Sequence, residues 1–186
     1  MACFISMLMV AGLLSRIWLI EYPNFKPIVA IAIFFGFYFQ RNAIAFVSVL
    51  GMMIVSDVLL GFYEWPIMAS VYASIGIAFW IGYRTNKLLQ SRSAFGKMVG
   101  VSIAATVASI SFFLWTNAAV VLAGWYPTTI SGLLSSYAAG LPFLKYSLAG
   151  DCLFTAGIFS GYFLLSKVNS MNGLMTLAPA RITQGK

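Results

Sequence analysis

Histidine is absent from the 186-residue sequence, and cysteine occurs only at positions 3 and 152. The absence of histidine excludes imidazole-ligated haem and the common imidazole metal sites, and it removes the usual proton shuttle of proteins. Two cysteines supply too few ligands for a structural zinc site. We therefore expect neither a metal ion nor a redox cofactor in this protein.

Charged residues are also scarce. They make up 8% of the chain, whereas hydrophobic residues make up 61%. A typical soluble domain is about 25% charged. Several apolar runs are long enough to cross a bilayer, which takes about 20 apolar residues per helix. This composition predicts an all-α, multi-pass membrane protein whose first partner is the lipid bilayer.

The basic excess, a formal net charge of +7, is not arranged as a clustered face with a nucleic-acid-binding motif. We therefore expect no nucleic-acid partner. In membrane proteins, lysine and arginine collect in cytoplasmic loops. The connection between the fourth and fifth apolar runs contains Arg84, Lys87, Arg92 and Lys97, and it is therefore predicted to be cytoplasmic.

Six apolar runs predict six transmembrane helices, of which the second is marginal because polar and charged residues bracket a short core. The runs cover residues of about 3–20, 25–40, 43–62, 66–84, 97–124 and 142–166. In this orientation, eight of the 11 basic residues lie on the inner side and both termini are cytoplasmic. The predicted location is the cytoplasmic membrane, with one domain, 1–167, and a polar C-terminal tail, 168–186.

The longest outer connection, residues 125–141, contains Pro127 and scattered glycine and serine. These residue types argue against a further membrane span. We expect this segment to be a loop folded onto the outer face, where it could act as a lid.

Three polar side chains interrupt the apolar runs at similar depths. At ~1.5 Å per helical residue, Asn117 lies about 10 Å, Asp151 about 12 Å and Asp57 about 8 Å below the outer ends of their helices. Arg16, near the outer end of the first run, is within reach of this layer and is the expected ion-pair partner. Because ionisable groups inside a membrane are costly and usually functional, we predict a substrate-binding site in this layer.

Aromatic residues toward the same end complete the predicted site. Trp115, Tyr137 and Tyr146 would form walls that stack on a flat molecule, the amide would give it paired hydrogen bonds, and the acids would bind its amine or hydroxyl groups. Two alternatives remain open. Outer-end aromatic residues also form interfacial belts, and Asp57 could pair with Arg16 for structural reasons alone.

The sequence contains no Walker motif, no GxSxG elbow and no nucleophile beside a visible base. We therefore do not expect the chain to be an enzyme. Any ATP hydrolysis that powers it would have to take place in partner proteins.

Four stretches of the chain resemble those of an uncharacterised family of bacterial six-helix membrane proteins. That family is in turn similar to the S components of energy-coupling-factor (ECF) vitamin transporters. The stretches are NFKPIVAIAIFFGFYF (24–39), MMIVSDVLLGFY (52–63), LWTNAAVVLAGWYP (114–127) and AAGLPFLKYSLAGDCLFTAGIFSG (138–161). Together they cover most of the chain, about residues 22–165.

The resemblance implies an ECF S-component-like bundle that captures a vitamin-like small molecule in an outward-facing pocket. Such a subunit docks on a coupling protein with two ATPases, through small residues in its first helix. Here Ala11 and Ser15 give a degenerate version of that pattern. The second hypothesis is therefore a structural or accessory subunit of a larger membrane complex, respiratory or photosynthetic, without transport activity of its own.

Overall fold

A computed structural model of the chain is helical throughout its regular structure. It describes residues 1–22 and 24–177, with residues 169–177 as backbone alone. The helices are α1 (Ala2–Trp18), α2 (Ile28–Phe39), α3 (Ala43–Leu60), α4 (Trp65–Leu88), α5 (Ala94–Leu122) and α6 (Ile130–Leu177). The prediction of an all-α chain with six helices is thus confirmed for the described residues. By length and composition, α3, α4, α5 and the Ile130–Val168 part of α6 could each cross a membrane, and α1 and α2 are shorter.

Local sequence determines where several of these helices begin and end. The side chains of Asn42, Ser93 and Thr129 accept hydrogen bonds from free backbone N–H groups at the starts of α3, α5 and α6. Gly61 and Gly124 follow α3 and α5 with φ angles of 96° and 86°. This left-handed conformation favours glycine because a Cβ atom would be strained there.

Helix α2 is the centre of the bundle and touches every other helix. All of residues 28–37 are buried, and Ala30–Phe34 have no exposed surface. At ~1.5 Å per residue, a helix of this length extends about 18 Å, well short of the ~30 Å hydrocarbon core of a bilayer. The marginal second run is therefore a short core helix that is enclosed by protein.

Two glycines bring α2 and α4 together backbone to backbone. A Cβ atom added at Gly36 would overlap the carbonyl group of Phe79, and one added at Gly82 would overlap the carbonyl group of Ile33. Small residues at such crossings let helices approach more closely than larger side chains allow. The pair therefore fixes how the central helix sits against α4.

The prediction of a loop over residues 125–141 is wrong for residues 130–141, which form the first part of α6. Ser136 donates a hydrogen bond to the carbonyl of Asn117 (2.8 Å), and Tyr137 donates one to the carbonyl of Leu114 (3.1 Å). These bonds hold the segment against α5. Pro142 lies inside the helix and removes one backbone hydrogen bond without ending it.

The C-terminal end of α6 also differs from the predicted boundary. The helix continues to Leu177, into the segment predicted as a polar tail. The rest of that predicted tail, residues 178–186, lies outside the described residues.

The two ends of the bundle have different interiors. The end formed by connections 19–27, 61–64 and 123–129, here called the Arg16 end, contains the polar side chains of the predicted site. At the opposite end, aromatic rings fill the space between α2 and α6, with ring centroids 5.0 Å apart for Phe37 and Phe159. The buried polar side chains of the predicted site therefore belong to the Arg16 end.

We predict that Gly36→Ala lowers the free energy of unfolding by about 1–3 kcal/mol, because the added methyl group overpacks a backbone contact. Gly51→Ala is the matched control. Gly51 is also helical but has no atom within 4 Å of an added Cβ, so alanine there should be neutral or stabilise by up to about 1 kcal/mol. Thermal unfolding of the purified variants measures both. Equal stability of the two variants would contradict the proposed close approach of α2 and α4.

Candidate functional site

Arg16 and Asp57 form an ion pair that joins α1 to α3. Arg16 Nη2 lies 2.7 Å from Asp57 Oδ1, although its N–H bonds are not aligned on that oxygen, so the contact is charge to charge. The side chain of Asp57 is 1% exposed and that of Arg16 is 13% exposed. Among the residues described, no other carboxylate is in direct contact with a basic side chain.

Further hydrogen bonds hold this pair in place. Tyr72 of α4 donates to Asp57 Oδ2 at 2.7 Å. Arg16 Nη1 donates to the carbonyl of Met53 (3.2 Å) and to the hydroxyl of Ser56. The pair is therefore fixed by groups from three helices, and its two charges satisfy each other within the protein.

Asp151, on α6, is the second buried acid. It is 2% exposed, and Ser109 of α5 donates a 2.6 Å hydrogen bond to its Oδ2 atom. Its Oδ1 atom has no hydrogen-bond partner within the described part of the chain, nor has the buried hydroxyl of Thr155 one helical turn farther on. A buried oxygen without a partner is costly. The carboxylate of Asp151 is therefore only half satisfied by the protein groups described.

A cavity of about 180 Å³ lies between these groups at the Arg16 end. Its polar lining residues are Arg16, Asn24, Lys26, Tyr63, Ser147 and Asp151. Its apolar lining residues are Ile28, Val29, Met53, Val71, Ile75 and Phe112. A mostly apolar wall with a few convergent polar groups is the usual construction of a small-molecule site.

Lys26 and Tyr63 come from the connections at this end and were not in the predicted site. Burial and the neighbouring charge of Arg16 hold the pKa of Lys26 below its usual value. Burial, followed by the Asp57 carboxylate, raises the pKa of Tyr63 to about 12, so Tyr63 is a neutral hydroxyl at physiological pH. The sequence signal for Lys26 was its position at the start of the second apolar run, where a snorkelling lysine is the ordinary interpretation.

Asn117 lines a second cavity of about 280 Å³ that adjoins the first. The residues common to both cavities are Asn24, Val71 and Phe112. Asn117 Nδ2 donates to the carbonyl of Phe113 at 2.8 Å, which satisfies part of the amide within its own helix. Its side chain occupies the space left by Gly140, where a Cβ atom would overlap it. Asn117 thus both packs α5 against α6 and faces a cavity.

The predicted aromatic residues lie farther from these cavities. Trp115 is 56% exposed and Tyr146 is 46% exposed, and neither lines the two cavities. Tyr137 is half-buried and packs on Phe113, with ring centroids 5.6 Å apart. Their contribution to binding remains a prediction.

The structure thus divides the predicted polar set between two adjoining spaces. Arg16 and Asp151 line the first cavity, Asn117 lines the second, and Asp57 lies behind Arg16 without lining the first. Within the described residues, no three His, Cys, Asp or Glu side chains are grouped so that they could hold a metal ion. Arg16 and Asp151 thus place a cation and an acid on the wall of the first cavity, and this arrangement is suited to binding a ligand.

The chain belongs to the DUF6580 family, a family of unknown function, which it matches over residues 1–174. No curated protein and no solved structure matches it significantly.

We predict that Asp57→Ala lowers the free energy of unfolding by about 3–5 kcal/mol, because it leaves the guanidinium of Arg16 without its counter-charge in a poorly solvated position. The double variant Arg16→Met with Asp57→Ala removes both charges and should regain most of that loss. Thermal unfolding of the wild type, both single variants and the double variant gives the coupling free energy between Arg16 and Asp57. Additive losses, with no recovery in the double variant, would contradict a buried pair.

Proposed function

We propose that this member of the DUF6580 family is a membrane-embedded subunit that captures a small molecule for uptake. The observation that supports the proposal most strongly is the cavity at the Arg16 end, whose lining combines Asp151, an acid with one unpartnered oxygen, with Lys26 and several apolar side chains. Buried polar groups of this kind are costly unless a ligand satisfies them.

Insertion in a membrane is supported by the surface of the bundle. Large apolar side chains are exposed along its helices, among them Val58, Trp65, Phe95, Ile103 and Leu153. Exposed apolar surface of this extent would be unfavourable in water. The distribution of lysine and arginine favours an orientation in which the Arg16 end faces outward and the termini are cytoplasmic. The resemblance to a bacterial family implies the inner membrane of a bacterium.

Uptake is what a likeness of this family to ECF S components would imply. In that interpretation, the chain binds a vitamin-like molecule on the outer side, and a coupling protein with ATPases powers its release inside. The two adjoining cavities, of about 180 and 280 Å³, together offer space for a small molecule. Binding sites for such molecules commonly measure about 300–1,000 Å³.

A structural or accessory subunit of a larger membrane complex is the second candidate. A groove of about 680 Å³ beside α1, whose lining residues are almost all apolar, offers a contact surface for a partner protein. The groove includes Ala11 and Ser15, the small residues that the resemblance associates with docking. Contact with a partner protein at α1 is compatible with both candidates, so the occupant of the Arg16-end cavity distinguishes them.

We predict that the protein, purified from membranes in mild detergent and then denatured, releases a stoichiometric small molecule. Asp151→Asn should release little or none, because the amide removes the negative charge at Oδ1. Mass spectrometry of the extract measures the amount. Glu21→Gln is the matched control, since Glu21 is an exposed carboxylate that lines neither cavity.

The same preparation tests the alternative. If the wild type releases no small molecule but remains in a stable multi-subunit complex, and Asp151→Asn assembles into it equally well, the accessory role is correct. Co-purification of ATP-hydrolysing partners together with the small molecule would support capture coupled to uptake.

A further inference from the structure

We infer that the cavity at the Arg16 end binds a small zwitterion, with its anionic group beside Lys26 and Arg16 and its cationic group at Asp151. This inference rests on the proposed capture function and adds the class of substrate. It is based on the charged residues that line the cavity and are not part of the Arg16–Asp57 ion pair.

The Arg16–Asp57 pair neutralises one positive and one negative charge. Two charged residues that line the cavity are left, Lys26 and Asp151. Neither forms an ion pair with another side chain within the described residues. The cavity therefore presents one basic and one acidic group, neither of which has an ion-pair partner.

A ligand with a single charge would match only half of this arrangement. A simple anion would satisfy Lys26 but would bring its charge near Asp151, and a simple cation would satisfy Asp151 but would repel Lys26. A buried charge that is left unpaired is strongly unfavourable. A zwitterion satisfies both groups and adds no net charge to the cavity.

The surroundings of Lys26 fit an anionic group. Burial and Arg16 disfavour the positive charge of Lys26, and a bound carboxylate would offset both effects. Arg16 can contribute as well. Its guanidinium group has five N–H donors, and its hydrogen bonds in the structure are to Met53 and Ser56, beside the ion pair to Asp57.

The surroundings of Asp151 fit an ammonium group. Ser109 holds the Oδ2 atom, so the orientation of the carboxylate is set before a ligand arrives. Oδ1 is left as an acceptor with no competing donor from the described residues. Ser147, one helical turn before Asp151, lines the same cavity and adds a hydroxyl group.

The apolar part of the cavity wall fits an apolar linker. Val29, Val71, Ile75 and Phe112 line it. An apolar cavity of about 150 Å³ accommodates a benzene ring, so about 180 Å³ leaves room for a ring or a short alkyl chain. The ligand is therefore a compact zwitterion whose two charges are separated by an apolar segment.

The test uses three matched compounds: para-(aminomethyl)benzoate, para-methylbenzoate and para-methylbenzylamine. The first has both charges, the second only the acid and the third only the amine. A series of ω-amino acids of increasing chain length samples other charge separations. Binding is measured by calorimetry on the full chain in lipid nanodiscs, after exhaustive removal of any co-purified molecule. We expect at least one zwitterion to bind about tenfold or more tightly than either singly charged compound.

The variants test each charge separately. Lys26→Gln should weaken binding of that zwitterion about tenfold or more and leave it no better than the amine-only compound. Asp151→Asn should weaken it by a similar factor and leave it no better than the acid-only compound. The controls Lys145→Gln and Glu21→Gln change exposed charges outside the cavity and should leave affinity unchanged. Thermal unfolding confirms that each variant is folded.

The inference is overturned if a singly charged compound binds as tightly as every zwitterion, or if no zwitterion binds. The molecule released from the purified protein then separates this failure from that of the proposed function. A released molecule that is not a zwitterion, and that Asp151→Asn fails to retain, leaves capture standing and removes only the substrate class. Release of no molecule, together with no binding of any compound, removes both.

Discussion

The ion pair between Arg16 and Asp57 is the interaction on which the polar end of this bundle depends. Asp57 is almost completely buried, and a carboxylate in that position is stable only if a cation and hydrogen-bond donors satisfy it. Arg16 supplies the charge from α1, and Tyr72 supplies a hydroxyl from α4. Because this pair is satisfied internally, the charges that remain for a ligand are those of Lys26 and Asp151.

The rest of the fold places Lys26 and Asp151 around the cavity at the Arg16 end and leaves that cavity open. Helix α2 is short, and its glycine contacts with α4 anchor it at the centre of the bundle. Lys26, in the connection just before α2, is thereby brought to the cavity. On the other side, Gly140 lets α6 approach Asn117 of α5, and Ser109 orients Asp151. The close helix contacts at glycines therefore also position the polar groups around the cavity.

Composition and helical spacing were sufficient to predict six helices and to place Arg16, Asp57, Asn117 and Asp151 at one end. Depth along a helix follows directly from the rise per residue. The direction that a side chain faces around the helix axis does not follow from the rise per residue, because tertiary packing sets it.

The exposed aromatic residues illustrate this limit. Trp115 lies two residues before Asn117, about 200° around the helix, and Tyr146 lies five residues before Asp151, about 140° around it. Both consequently lie on the surface while their polar neighbours face inward. The start of α6 was missed for a similar reason, since bonds to Asn117 and Leu114, which are distant in sequence, stabilise a segment rich in glycine and serine.

The central claim, that the unmatched charges of Lys26 and Asp151 serve a ligand, is tested most directly by an experimental structure of the protein purified from its own membranes. We expect non-protein density in the cavity, within hydrogen-bond distance of the Asp151 carboxylate at one end and of Lys26 Nζ at the other. A direct ion pair between Lys26 and Asp151 in a closed cavity would contradict it, because the two charges would then satisfy each other.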